Sequence, residues 1–148
     1  MTWKSNDWKV CLLFTVIVVV LAGCNSTETI KVSGVWGRPS PGSAVNAAFY
    51  MQIQNNSTEV EQLVAADIEV CEYSELHEST VDENGVMRMG QVEGIYIPPA
   101  ETVFLEPGGF HIMCINRQTN FDPGDSVPIR LDFMTLGQLE VSAEIREN

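Results

Sequence analysis

Two histidines, His77 and His111, are the only imidazoles in the chain, and three of its six methionines stand close to them in sequence. One cluster is "GGFHIMCI", Gly108 to Ile115; the other is "LHESTVDENGVMRMGQV", Leu76 to Val92. His111 and Met113 are separated by one residue, and so are Met87 and Met89. Successive side chains of a strand point to opposite faces, so each pair projects from a single face. Phe110, Ile112 and Cys114 then take the other face in one strand, and Arg88 does so in the other. Asn84-Gly85 is a tight-turn dipeptide that folds the His77 arm back beside the methionine arm. Met51, in "FYMQI", and Met134, in "DFMTL", sit in apolar strand settings and read as core residues.

Imidazole and thioether donors with few carboxylates select a soft or borderline ion, above all Cu(I). Zinc prefers cysteine, histidine or carboxylate. Calcium and magnesium need an oxygen cage, which neither segment offers. Taken singly, each segment also fits methionines packed in a core beside a solvent-facing histidine. Both histidines and three methionines falling into one pattern favour a metal site.

The elements that must position these donors are short β-rich runs between turn signals. Ile30–Trp36 alternates apolar with polar residues, Arg38–Ser43 is a loop with two prolines, and Ala47–Asn55 is strand-like. Further runs centre on Leu63–Ala66, Ser74–Glu78, Val86–Val92, Thr102–Leu105, His111–Ile115, Val127–Phe133 and Leu139–Ile145. Punctuating them are Asn84-Gly85, Pro98-Pro99, Pro107-Gly108-Gly109, Pro123-Gly124-Asp125 and Gly137. Strands at this spacing predict an all-β fold, an antiparallel sandwich or barrel. The one place for helix is a turn or two near Val60–Ala66.

The N-terminus reads as an export signal. Lys4 and Lys9 precede an apolar run of thirteen residues, Val10 to Ala22, which is short for a bilayer span and suits a signal-peptide core. It ends in Leu21-Ala22-Gly23-Cys24, which resembles a bacterial lipoprotein signal. On that reading residues 1–23 are removed, Cys24 is acylated, residues 24–29 are a lipidated tether, and 30–148 form the folded domain. Several acyl chains on one cysteine hold a protein to a bilayer stably. Asn25 after the cysteine, where Asp would retain a lipoprotein at the inner membrane, points to the outer membrane.

The formal net charge is −12. Such a surface does not suit nucleic acid, because phosphate binding needs clustered Lys and Arg. Beyond the leader and Cys24, only Cys71 and Cys114 remain. No Cys-x-x-Cys occurs, so neither a dithiol redox motif nor a zinc ribbon is present. Export permits a Cys71–Cys114 disulfide, and two buried thiols are the alternative.

From about Ile30 to Ile145 the chain resembles the PCu(A)C family of periplasmic copper chaperones. The family pattern is a histidine, an optional methionine, ten residues, a methionine, twenty-one residues, then His-x-Met. Here twenty-one residues separate Met89 from His111, and Met113 completes the His-x-Met. Eleven rather than ten separate His77 from Met89, the extra one falling in "STVDENG", and Glu78 stands at the optional methionine. "NAAFYM", "ELHES", "PPAETVFLEPGGFHIM" and "PGDSVPIRLDF" also look familial. The resemblance implies a cupredoxin-like Greek-key antiparallel β-sandwich. It implies one Cu(I) held by His77, Met89, His111 and Met113; Met87 is held in reserve as a substitute for Met89, because both share a face. It further implies delivery to a copper acceptor, an oxidase copper-centre subunit or its assembly factor, on the periplasmic side of a membrane. The activity is transfer, not catalysis.

Two other readings are of different kinds. A blue-copper electron carrier needs a cysteine thiolate beside two histidines and a methionine; Cys114 is near, but in an unbroken strand it faces away from His111. A metal-free structural β-sandwich lipoprotein is the second. No hydrolase signature such as G-x-S-x-G occurs.

Overall fold

Alternation is the first cause of the architecture. In Ala47–Asn55 every second side chain (Ala47, Phe49, Met51, Ile53, Asn55) is buried, while Gln52 and Gln54 face water. The same period recurs in Ser126–Phe133, where Val127, Ile129, Leu131 and Phe133 are buried. Each fully buried large apolar side chain contributes roughly 1.5–3 kcal/mol, so the pattern selects one face of every strand for the core.

The computed structural model describes residues 28–39 and 45–147. The leader, Cys24, the tether up to residue 27 and most of the proline loop lie outside the described residues. Ten strands form: β1 (Ile30–Pro39), β2 (Ala47–Asn55), β3 (Glu61–Asp67), β4 (Cys71–Val81), β5 (Met87–Gln91), β6 (Ile95–Ile97), β7 (Thr102–Leu105), β8 (Phe110–Arg117), β9 (Ser126–Phe133) and β10 (Gly137–Ile145). They join in one hydrogen-bonded sheet of order β5-β4-β8-β7-β2-β1-β10-β9-β3-β6, with β8 also pairing with β2. Pairing is antiparallel except for β1 with β10 and β7 with β8. Residues from both halves of this order, among them Phe49, Ile53, Ile112, Leu63, Ile129 and Leu131, share one core. Gly37 is required there: a Cβ on it would fall 2.5 Å from the Phe49 ring.

Two expectations need correction, and one strand was not foreseen. Among the described residues there is no α-helix, and all of Val60–Ala66 but Val60 belongs to β3; Glu61, Leu63 and Ala66 turn inward across a register shift between Leu63 and Ala65. β6, between Gly94 and Pro98, alternates buried Ile95, exposed Tyr96 and buried Ile97, but three residues between a glycine and a proline do not stand out from a loop in the sequence. Met134 is not core. β9 ends at Phe133, and Met134 opens the turn to β10 with 66% of its surface exposed.

Two buried polar side chains fasten the end of the sheet far from the β4–β5 edge. Asn55 Nδ2 donates to the carbonyls of Glu59 (2.8 Å) and Ile97 (3.0 Å), and its Oδ1 accepts from the Ser57 backbone and hydroxyl. That ties β2 to the edge strand β6. Glu61 accepts N–H bonds from Gln62, Thr135 and Leu136, each at 2.9 Å, and so holds the β9–β10 turn. Burial pushes the Glu61 carboxyl up, but the three N–H bonds more than offset it, and the group sits below its ordinary 4.5.

The cysteines form a disulfide, Cys71–Cys114, with Cα atoms 5.5 Å apart. Cys114 is fully buried on the core face of β8, as the alternation of that strand requires.

Two measurements test these points. Urea denaturation of Cys114→Ala is expected to show a loss of roughly 2–5 kcal/mol, because the bond closes a chain separation of 43 residues. The parent's mass should be lower by two hydrogens than that of its reduced form. For Glu61→Gln the expected loss is about 1.5–3 kcal/mol, the range for hydrogen bonds to a charged group. The sign with pH is fixed by the depressed carboxyl. Its contribution is full above the unfolded-state value near 4.5 and disappears as pH falls through the lower folded-state value. The variant's acid-unfolding curve should therefore be flatter than the parent's, and equal slopes would remove Glu61 from this role.

Candidate metal centre

The site is built by cross-strand register. β4 pairs with β8 so that His77 stands directly opposite His111, and Glu75 opposite Met113. On its other side β4 pairs with β5, which sets Met89 opposite Ser79, Met87 opposite Val81 and Gln91 opposite His77. Directly opposed residues share a face of a sheet. His77, His111, Met113, Met87 and Met89 therefore all lie on one face, the outer one, with Ile112 and Cys114 on the core side of the same strand. The His77 and His111 ring centroids are 5.8 Å apart.

The hairpin loop between β4 and β5 accommodates the spacing that differs from the family pattern. Asp82 Oδ1 accepts from the N–H groups of Asn84 and Val86, and Gly85 takes φ 79°. Register runs unbroken from Val81–Met87 back to His77–Gln91, so the eleven intervening residues leave Met89 on the histidine face.

His111 is set by the turn before it. Gly108, at φ 88°, makes the turn that leads from β7 into β8, which runs parallel to it. The Gly109 carbonyl then accepts the Ser79 N–H at 3.0 Å and the His111 Nδ1–H at 3.1 Å, using both its lone pairs. Nε2 is left as the free donor of a ring that is only 3% exposed. Burial lowers the His111 pKa below its ordinary 6.5, the Gly109 bond opposes that, and the nearby His77 adds to the lowering. The neutral, metal-binding form of the ring is thereby favoured.

A groove of about 490 Å³ opens over these residues, lined by His111, Met113, Met87, Met89, Arg38 and Tyr50 among others. Tyr50 lies beneath it, its ring 6.2 Å from that of His111, with the Arg38 guanidinium 5.7 Å above its centroid. Met87 and Met89 are exposed on β5, an outermost strand of the sheet, at 63% and 55%, whereas Met113 is half-buried. His77 lies beside the groove rather than in its lining. Its Nε2 is 2.8 Å from Glu75 Oε2, and its Nδ1 is buried without a hydrogen-bond partner.

Among the described residues no group of three or more His, Cys, Asp or Glu gathers to hold a metal. The donors that do converge are two imidazoles and thioethers. Cys114, bonded to Cys71, offers no thiolate, so the blue-copper ligand set is not formed by the described cysteines. Sequence reasoning passed over Glu75 and Tyr50. "ELHES" places Glu75 two residues before His77 on the same strand face, and that spacing was the available signal for it.

Comparison with known proteins follows this geometry. The apo PCuAC domain from PmoF1 has the same fold (TM-score 0.71, 23% identity, covering 81% of this chain and 95% of that one). So has the Cu(I) form of DR1885 from Deinococcus radiodurans (TM-score 0.64, 26% identity, 84% of each chain). The fold is thus the cupredoxin-like β fold of PCuAC domains, as expected from the strand pattern and the resemblance. A curated relative from Leifsonia xyli subsp. xyli (strain CTCB07), "Putative lipoprotein Lxx21020", is 29% identical over 121 residues, 81% of this chain and 71% of its own length. The family model described as "Putative lipoprotein LpqE-like" matches residues 30–145, from the first residue of β1 to the last of β10, and the chain belongs to this LpqE-like lipoprotein family.

Proposed function

We propose that this protein is an exported, membrane-anchored copper carrier that binds one Cu(I) through His77, Met89, His111 and Met113, with Met87 able to replace Met89. The observation that carries the reading is the double register of β4, which gathers both histidines and all three methionines on one face. The donor chemistry fits: two imidazole nitrogens whose lone pairs meet no protein hydrogen-bond donor, together with soft thioethers, match Cu(I) better than any hard cation. Similar structures include a copper-bound PCuAC domain from PmoF2 and the Cu(I) form of DR1885.

Copper is cargo here, and the protein's task is to hold it and let it go. The ligands are graded in exposure: His111 is buried, Met113 half-buried, and Met89 open on an edge strand. An acceptor approaching over β5 displaces the exposed thioether first. The recipient in this reading is a copper centre of a respiratory oxidase or its assembly factor, and the carrier performs no bond-making catalysis. Anchoring would be through acylated Cys24, which lies outside the described residues; the family's description as lipoproteins supports it. The outer-membrane expectation rests on Asn25 alone, also outside them.

Met113→Leu keeps volume and apolarity, so the fold should survive with little loss of stability. Anaerobic Cu(I) titration against a competing chelator is expected to show at least a tenfold weaker site, and parental affinity would remove Met113 from the ligand set. X-ray absorption of the loaded parent should show nitrogen and thioether sulfur with no short thiolate contact. For the anchor, metabolic labelling with a fatty acid should mark the parent and not Cys24→Ser. Label persisting in the variant would refute acylation at that residue.

A further inference from the structure

The two histidines are held by different partners through different ring nitrogens. His111 donates Nδ1–H to the Gly109 carbonyl, which leaves Nε2. His77 presents Nε2 to Glu75 Oε2 at 2.8 Å, which leaves Nδ1, and that atom is buried with no hydrogen-bond partner. A carboxylate oxygen only accepts, so the Glu75 bond requires the proton on Nε2. Turning the His77 ring over would set a carbon against the carboxylate and lose the bond.

A buried ring nitrogen whose lone pair has no partner is costly unless something meets it. His77 is directly opposite His111, with ring centroids 5.8 Å apart, so its ring stands next to the other imidazole of the site. A ligating histidine commonly gives its second N–H to a carboxylate or backbone carbonyl, which fixes the tautomer and strengthens the donor. Both kinds of partner are present here, one for each ring. Glu75 is also half-buried, which shields the bond from competing water.

We propose that Glu75 is a positioning residue that holds His77 as the Nε2–H tautomer, so that His77 meets the metal through Nδ1 while His111 meets it through Nε2. This rests on the copper reading above, and it assigns a role to a residue that the His/Met pattern leaves out. Glu75 does not touch the metal; it acts through His77. The site is therefore asymmetric, with one imidazole backed by a charge and the other by a neutral carbonyl.

The test is long-range ¹H–¹⁵N NMR of the histidine rings in the soluble domain, apo and loaded with Cu(I) or with Ag(I), whose nuclear spin couples to the bound nitrogen. Apo His77 is expected to show the Nε2–H pattern. On loading, the perturbed nitrogens should be Nδ1 of His77 and Nε2 of His111. Glu75→Gln keeps an acceptor oxygen and should preserve the tautomer, with Cu(I) affinity within about threefold of the parent. Glu75→Ala should give mixed tautomers and an affinity roughly 10–100-fold weaker, the range for loss of a partner behind a metal ligand. Circular dichroism and thermal melts of each variant separate these effects from unfolding. Metal on Nε2 of His77, or a Glu75→Ala protein with parental tautomer and affinity, would overturn the inference and leave the copper reading standing. Absence of a metal-induced change at both rings would overturn the copper reading itself, whereas the apo tautomer still tests the hold of Glu75 on His77.

Discussion

Everything about the site depends on the pairing of β4 with β8. Cross-strand register has a period of two, so a slip of one residue would send His77 to the core face and Leu76 to the groove. Three restraints hold the register where it is. Leu76 and Ile112, opposite each other, are both buried in the core. Gly109, at the head of β8, takes the Ser79 N–H from β4. The Cys71–Cys114 bond joins the strands covalently from the core side. The donors on the outer face are aligned by residues on the inner one.

The outer face shows a division of labour between rigid and open parts. β8 is central: it pairs with β4, β7 and β2, and His111 on it is oriented by a backbone carbonyl and packed near Tyr50. β5 pairs with β4 and ends the sheet, and all five of its residues are exposed. A binding site that must also release needs both qualities. In the copper-carrier reading proposed above, fixed imidazoles would set the geometry, while thioethers on the margin of the sheet would provide the exit.

The legibility of this arrangement from sequence follows the range of the interactions involved. The His111/Met113 and Met87/Met89 alternations are local, and a period of two shows in three residues. Asn84-Gly85 likewise announces its own hairpin. The face shared by the two clusters depends on which strands pair, and that was accessible only through the family resemblance. The disulfide stayed open because a Cα separation across 43 residues of chain is a tertiary quantity. Met134 was misplaced by one residue's difference in where β9 stops, and β6, three residues between Gly94 and Pro98, was too short to stand out from a loop. Glu75 was overlooked because charged residues in a chain of net charge −12 look like ordinary surface until one is seen against an imidazole.

The exposure of Met87 and Met89 on the margin of the sheet has a chemical side as well as a kinetic one. An exposed thioether is open to peroxide, and its sulfoxide is polar and presents a hard oxygen in place of soft sulfur. Cys71 and Cys114 already carry their oxidation as a bond within the fold. Neighbouring side chains give the β5 methionines little cover, since both are more than half exposed. The openness that would let a copper acceptor reach the sulfur also lets an oxidant reach it. If Met89 holds the metal as proposed, the sulfur lone pair it donates is the shield that the polypeptide does not supply.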